Sequence, residues 1–141
     1  MNLIIGSHVS YNNKSQLLGS VKEALSYKAN TFMFYTGAPQ NTNRSVIEDS
    51  LTMEAYKLMK ENNIALEKVI VHAPYIVNLA NFNNFDFSVS FLINEVERCS
   101  TLGIKYLVLH PGSAVNCSRE EAINNISKGL NLILDNDYNV T

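Results

Sequence analysis

Long apolar runs are missing from this 141-residue sequence. No stretch approaches the roughly 20 apolar residues that a membrane-spanning helix needs, and the first residues do not pair a basic region with the apolar core of a secretory signal. Cysteine is also scarce, because Cys99 and Cys117 are the only two and form no CxxC pair. Free thiols in a reducing compartment are therefore expected, and with them a cytoplasmic protein without a membrane partner.

Charge and glycine-rich loops are equally sparse. Charged residues make up 17% of the chain and the net charge is −2, which gives no overall case for binding a polyanion. Neither a GxGxxG motif nor a Walker loop follows the first apolar segment, which excludes the commonest nucleotide-binding folds. With 46% apolar residues, the sequence predicts one globular domain over residues 1–141, without an internal boundary.

Strand-like and helix-like segments alternate along the chain. Strands are predicted over 3–10, which reads as buried, 31–37, 68–72 and 105–110. Helices are predicted over 15–28, 49–63, 86–102 and from about Arg119 onward. A Ser-x-x-Glu capping box precedes the last helix, and its predicted apolar face carries Ile123, Ile126, Leu130 and Ile133.

Four successive βα units predict a parallel sheet with helices packed on it. A doubly wound sheet and a TIM (β/α)8 barrel both have this pattern, and eight such units would slightly exceed the ~250 residues typical of the barrel. Residues 138–141 look like the start of a fifth strand. We therefore expect half of a TIM barrel, with four βα units and the beginning of strand five.

All three histidines follow apolar strand segments. His8, His72 and His110 should lie at the carboxyl ends of strands one, three and four, where barrels carry their chemistry. A single strand histidine is more often a core residue than a ligand, but three at one edge favour a site. Neighbouring strands lie ~4.8 Å apart, so His72 and His110 can converge on one zinc ion. Zinc normally takes three or more protein ligands, and these loops supply no carboxylate.

The predicted strand-end loops contain no aspartate or glutamate at all. Residues 8–17, 36–47, 72–85 and 110–119 carry Lys14, Arg44 and Arg119 as their charged side chains, together with several asparagines. A positive edge of this kind suits a phosphorylated substrate or a polyanion. The alternative is that the asparagines only reflect turn preferences.

Four segments resemble the endonuclease IV family of apurinic/apyrimidinic endonucleases. The most specific is HAPYIVNLA at 72–80, where the family often has Ile or Met in place of Val77. IGSHVS at 5–10, FYTGAPQNT at 34–42 and RCSTLGIKYLVLHPGS at 98–113 are similar to further family segments, in the same order. The resemblance covers essentially the whole chain but only the N-terminal half of the family's length.

The resemblance implies a TIM barrel with three zinc ions at the strand ends. His72 and His110 match two ligands of one ion, and a glutamate at the end of the fifth strand would join them. Tyr75 and Ile76 match side chains that wedge into duplex DNA, and Asn41 stands where the family often inserts Arg. Groups beside the metal or in contact with phosphate are also expected, namely His8, which matches a family histidine that is not a ligand, Lys14, Arg44, Asn78 and Arg119.

The function implied is that of a zinc-dependent deoxyribonuclease of base-excision DNA repair, of the deoxyribonuclease IV (phage-T4-induced) type. Such an enzyme hydrolyses the phosphodiester 5′ to an abasic site in double-stranded DNA and leaves a 3′-hydroxyl. We expect the complete enzyme to be monomeric. The 141-residue chain alone is expected to be inactive and to self-associate through exposed strand edges. The alternatives are a metal-dependent sugar isomerase or epimerase, and a non-catalytic nucleic-acid-binding fragment.

Overall fold

A computed structural model describes residues 3–136 and 138–141. Four parallel strands form one sheet in the order β1-β2-β3-β4. The strands are β1 (Gly6–His8), β2 (Thr31–Phe34), β3 (Ile70–His72) and β4 (Tyr106–Val108). The helices are α1 (Gln16–Ser26), α2 (Asp49–Glu61), α3 (Phe85–Thr101) and α4 (Arg119–Leu134), with short 3-10 turns at Leu66–Lys68 and Phe82–Asn84. Within these described residues, no helix is both long and apolar enough to cross a membrane.

The two faces of the sheet differ in cover. Phe34 and Val71 are fully buried on the side that the helices cover. Residues that alternate with them point the other way, and there Tyr106 and Val108 are 47% and 41% exposed. A doubly wound sheet reverses its strand order and carries helices on both faces. Consecutive strand order with one open face is instead the arrangement of a partial (β/α)8 barrel, which confirms the predicted fold.

Two apolar clusters hold the helices to the sheet. One lies beneath α1 and α2 and includes Leu17, Phe32, Ala55, Met59 and Val69. The other joins α3 and α4 to the segment after β3, and includes Leu79, Phe85, Leu92, Val96 and Ile133. The second cluster includes Ala73, Val77 and Leu79 of the HAPYIVNLA segment, so this segment is anchored in the core.

The first strand departs from its prediction. Residues 3–10 read as a buried strand, but only Gly6–His8 are paired, and Ile4 and Ile5 are 50% and 59% exposed. β1 is an edge strand that pairs with β2 on one side alone. Val9 is 3% exposed and joins the apolar cluster beneath α1 and α2, whereas Ile4 and Ile5 lie at the sheet edge before the strand begins. The buried assignment was therefore wrong for these residues, although the position of the strand was right.

The last helix begins as predicted. Ser118 accepts from the amide of Glu121, and the Glu121 side chain accepts from the amide of Ser118, which completes the capping box. Its buried stripe, however, runs through Ala122, Asn125, Gly129 and Ile133, while Ile123 is 51% exposed. Asn125 is buried because its amide donates to the carbonyl of Leu79 at 2.8 Å.

The end of the described chain begins to pair with β4. The amide of Leu107 donates to the carbonyl of Thr141 at 2.9 Å, and the amide of Thr141 donates to the carbonyl of Lys105 at 2.5 Å. One residue that bonds to positions 105 and 107 in this way has the pattern of a parallel ladder. These bonds support the expected start of a fifth strand, although no strand is assigned to residues 138–141.

Candidate functional site

Four aromatic rings line up at the carboxyl ends of the four strands. The ring centroids of His8 and Tyr35 are 4.6 Å apart, those of Tyr35 and His72 are 5.2 Å apart, and those of His72 and His110 are 5.0 Å apart. Each strand contributes one ring, and the histidines stand on the edge where the sequence placed them. The structure therefore brings His72 and His110 together, whereas His8 is separated from them by Tyr35.

Tyr35 is the member of this row that the sequence interpretation missed. It directly follows Phe34, the last residue of β2. It is two residues beyond Met33, which pairs with His8. Side chains two apart on a strand share a face. The signal was thus present, since Tyr35 ends its apolar run as the histidines end theirs.

The ring of His72 is oriented by its own backbone segment. Its Nδ1 donates to the carbonyl of Ala73 at 2.7 Å. With Nδ1 occupied as a donor, the neutral ring carries its lone pair on Nε2. Such a hydrogen bond on the other nitrogen is the usual companion of a metal-binding imidazole.

Asn78 ties the segment after β3 to the segment after β4. Its Nδ2 donates to the carbonyl of Ser113 at 3.1 Å, and its Oδ1 accepts from the amides of Ser113 at 3.2 Å and Ala80 at 3.0 Å. The amide of Leu79 also donates to the carbonyl of Pro111 at 3.1 Å. The side chain expected beside the metal or on phosphate is thus engaged with protein groups, and it fixes the turn that follows His110.

Gly112 is required at this junction. Its φ of +119° lies in a region that other residues rarely adopt, and a Cβ there would approach Oδ1 of Asn78 to 1.9 Å. The Pro-Gly turn after His110 therefore serves the close approach of two loops as well as the change of chain direction.

His8 lies in a different environment from the other two histidines. Burial lowers its pKa, the nearby His72 lowers it further, and the carboxylate of Glu23 opposes the shift. Glu23 reaches this edge from α1 and accepts from the hydroxyl of Ser10 and, at 3.0 Å, from its amide. These hydrogen bonds lower the pKa of Glu23. The strand-end loops contain no acid of their own, as the sequence showed, but Glu23 brings a carboxylate to this edge from α1.

Tyr75 and Ile76 occupy the tip of the turn after β3. Tyr75 is 59% exposed, whereas Ile76 packs partly against the cluster beneath α3 and α4. The amide of Val77 closes the turn on the carbonyl of Pro74 at 3.2 Å, and Val77 itself is buried. The ring of Tyr75 is therefore exposed to solvent on a turn that the neighbouring Ile76 and Val77 hold against the core.

Arg44 was expected to lie beside the metal or to contact phosphate, but the structure engages its charge inside the protein. Its side chain is only 6% exposed, and its Nε donates to the fully buried carboxylate of Glu95 at 2.5 Å. Lys14 and Arg119 are exposed, as is Asn41. The side chain of Asn41 accepts from the amide of Asn43 at 3.1 Å and so shapes its own loop. The free positive charge on this edge is smaller than the sequence suggested.

The donor set for a metal is incomplete in the described part of the chain. His72 and His110 offer two neighbouring imidazoles, which suit zinc in chemistry and in spacing. Across residues 3–136 and 138–141, no group of three or more histidine, cysteine, aspartate or glutamate side chains is placed to hold an ion. The arrangement therefore fits part of a zinc site.

Comparisons with known proteins agree with the barrel fold and with the family resemblance. The family described as xylose isomerase-like TIM barrel matches residues 21–141. The chain is 56% identical to a probable endonuclease 4 from Acholeplasma laidlawii, over 98% of its own length and 48% of the relative's. It is 51% identical to a probable endonuclease 4 from Bacillus subtilis, over 98% and 47%.

A solved structure leads in the same direction. The crystal structure of endonuclease IV from Thermus thermophilus aligns with a TM-score of 0.72 and 26% identity, covering 92% of this chain and 47% of that one. The chain thus spans about half the length of the relatives it matches. The resemblance to endonuclease IV proteins is confirmed, and the chain belongs to the xylose isomerase-like TIM barrel family.

Proposed function

We propose that this chain is part of a zinc-dependent endonuclease of DNA repair that hydrolyses the phosphodiester 5′ to an abasic site and leaves a 3′-hydroxyl. The observation that carries the proposal is the pair of rings at the strand ends, His72 and His110, with centroids 5.0 Å apart on the same edge as an exposed Tyr75. Relatives named probable endonuclease 4 support the reaction class.

His72 and His110 would be the two nitrogen ligands. The hydrogen bond from Nδ1 of His72 to Ala73 leaves Nε2 for the ion, and the Asn78 contacts hold the turn after His110 so that both rings stay at one edge. Zinc, when bound, supplies a nucleophilic hydroxide and stabilises the charge that develops on the scissile phosphate. His8 would act beside this site and not as a ligand, because Tyr35 lies between it and His72.

Tyr75 is proposed as the residue that selects for a missing base. An exposed ring on a supported turn can fill the gap in a base stack, and unstacking costs least where a base is already absent. Ile76 would support the ring from its half-buried position, and Asn41 would contact the duplex from the neighbouring loop. Lys14 and Arg119 are free to bind backbone phosphates, in keeping with their exposure.

Two imidazoles are fewer than the three ligands that zinc normally takes. We therefore propose that residues 1–141 form the N-terminal half of one barrel domain and do not cut DNA alone. A further ligand, a carboxylate at the end of a fifth strand, would complete the site.

A fusion experiment tests this proposal. Residues 1–141 are joined to the C-terminal half of the Acholeplasma laidlawii relative, and incision of a synthetic duplex with one abasic site is measured with and without a chelator. The fusion should cut 5′ to the site and lose activity with chelator, and His110→Ala in the fusion should lower the rate by about 100-fold or more. A matched His8→Ala fusion should keep its bound zinc.

Four outcomes would contradict the proposal. Incision by the unfused chain would refute the incomplete site, and incision that resists the chelator would refute the metal. Equal binding of abasic and intact duplex, with or without chelator, would favour a non-catalytic nucleic-acid-binding module. Binding of a ketose without any affinity for DNA would favour the sugar isomerase alternative.

A further inference from the structure

A buried charged network lies behind the loop between β2 and α2. Glu95 of α3 is 0% exposed and accepts from Nε of Arg44 at 2.5 Å and from the hydroxyl of Thr36 at 2.7 Å. Arg98, one turn further along α3, donates from Nε to the same hydroxyl at 3.1 Å. We propose that Glu95 is a positioning residue that, through Arg44, fixes loop 37–46 in the conformation that meets DNA; this rests on the function proposed above.

Arg44 acts as an internal scaffold for the loop. Its Nη1 donates to the carbonyl oxygens of Ala38 at 3.3 Å, Asn41 at 3.1 Å and Asn43 at 3.0 Å. The structure assigns no helix or strand to residues 37–46, and of these three carbonyls that of Ala38 also accepts from the backbone amide of Asn41, at 3.4 Å. One guanidinium thus gathers three points of the loop, and Glu95 fixes that guanidinium.

Arg98 holds both ends of the same loop. Its Nη2 donates to the carbonyl of Thr36 at 2.9 Å and its Nη1 to that of Ser45 at 2.7 Å. The Arg44 guanidinium also lies 4.9 Å from the ring centroid of Phe91, again on α3. These anchors of the loop therefore come from one helix, although the loop joins two other elements.

The close packing around Arg44 leaves little freedom to this arrangement. A Cβ on Gly37 would approach both Cδ and Nη1 of Arg44 to 2.9 Å, so a larger residue would have to displace the guanidinium. Burying two charges is costly, and hydrophobic replacements of similar volume are often neutral or stabilising. The network is therefore better explained by the ordered loop that it produces than by stability alone.

The ordered loop presents Asn41 at the strand-end edge. Asn41 is exposed while its backbone is held by Arg44, so binding would order few further groups. Pre-ordering raises affinity because the entropic cost has already been met on folding. Loosening the loop should therefore weaken binding of duplex DNA without removing any residue that touches it.

A double variant separates positioning from stability. Arg44→Met with Glu95→Gln removes both members of the ion pair, keeps a similar volume and leaves an acceptor for Thr36. Arg98 stays charged and keeps its bonds to the carbonyl oxygens of Thr36 and Ser45. The control is Lys60→Met with Glu97→Gln, which also removes one positive and one negative charge, but at exposed positions on α2 and α3. Gln at position 97 keeps an acceptor for the hydroxyl of Tyr138. Folding is checked by thermal unfolding, loop order by hydrogen exchange of the Asn41 and Asn43 amides, and binding by titration with abasic duplex.

We expect the folded double variant to exchange these two amides about tenfold faster or more and to bind abasic duplex about tenfold more weakly, with the control unchanged. Wild-type exchange rates, or unchanged affinity, in the folded double variant would overturn the positioning role. Failure of the wild-type chain to bind DNA at all would instead count against the proposed function, because the exchange measurement contains no DNA.

Discussion

The loop after β2 and the loops after β3 and β4 reach the same edge of the sheet but are held by different chemistry. Loop 37–46 depends on the buried ion pair between Arg44 and Glu95. The turns after His72 and His110 are joined by the neutral amide of Asn78, which both donates to and accepts from Ser113. An ion pair thus holds one loop of the candidate site, and a neutral side chain holds the other two.

The difference teaches which parts of the edge tolerate change. Removing one partner of a buried ion pair leaves an uncompensated charge, whereas removing a neutral amide leaves only unpaired polar groups that water can reach. The loop after β2 should therefore be the most sensitive to single substitutions. The junction of the β3 and β4 loops should be limited by shape at Gly112 and by hydrogen bonding at Asn78.

The largest effect is expected for Glu95→Ala. The Arg44 guanidinium would stay buried without a counter-charge, which costs about 3–5 kcal/mol of unfolding free energy. Urea unfolding followed by circular dichroism measures this change, and Glu97→Ala, at an exposed position of the same helix, serves as the control. A loss as small as the control's would show that the carboxylate is not needed to hold Arg44.

The next largest effect is expected for Gly112→Ala. The positive φ and the collision with Oδ1 of Asn78 should together cost about 2–4 kcal/mol, through strain and through broken hydrogen bonds. Urea unfolding of the single variants and of the double variant with Asn78→Ala forms a cycle. The cost of Gly112→Ala should fall in the Asn78→Ala background, and strictly additive costs would contradict the proposed collision.

Asn78→Ala alone should cost less, about 1–3 kcal/mol, because two amides and one carbonyl lose their partners near solvent. Loosening of the turn should also lower the affinity of His72 and His110 for zinc, measured by calorimetric titration of the chain with zinc chloride. Asn83→Ala is the control, at an exposed asparagine in the 3-10 turn later in the same connection. Unchanged stability and zinc affinity would refute the joining role of Asn78.

The sequence predicted the positions of the histidines well, because the rule behind them is simple. Each histidine ends or closely follows a short apolar run, and parallel strands bring such ends to one edge. The same rule would have found Tyr35 had it been applied to residue types other than histidine. Burial was harder to predict, since the exposure of Ile4, Ile5 and Ile123 depends on which surfaces have a covering layer.

The pairing of Arg44 with Glu95 could not be predicted. The two residues are 51 positions apart, and an arginine in a polar loop has the appearance of a surface residue. One signal did exist on α3, where Glu95 falls on the helical stripe of Ser88, Leu92 and Cys99, all buried. A carboxylate on an apolar stripe must find a partner, but the identity of that partner depends on tertiary structure.

The smallest effect is expected for Ser10→Ala. This variant tests the exposed carboxylate of Glu23, for comparison with the buried ion pair of Arg44 and Glu95. The Ser10 hydroxyl is the main cause of the lowered pKa of Glu23, so its removal should raise that pKa toward the ordinary value. A carboxyl whose pKa is lowered on folding adds stability above its unfolded pKa and loses it as the pH falls through the folded pKa. The variant should thus be slightly less stable than the wild type at neutral pH and equal to it in acid.

Carbon NMR titration of Glu23 and unfolding at both pH values measure this, with Ser100→Ala as control. If the pKa of Glu23 in the variant equals that in the wild type, the hydrogen bond from the Ser10 amide is enough to lower it. The Ser10 hydroxyl would then contribute nothing to stability at this exposed carboxylate.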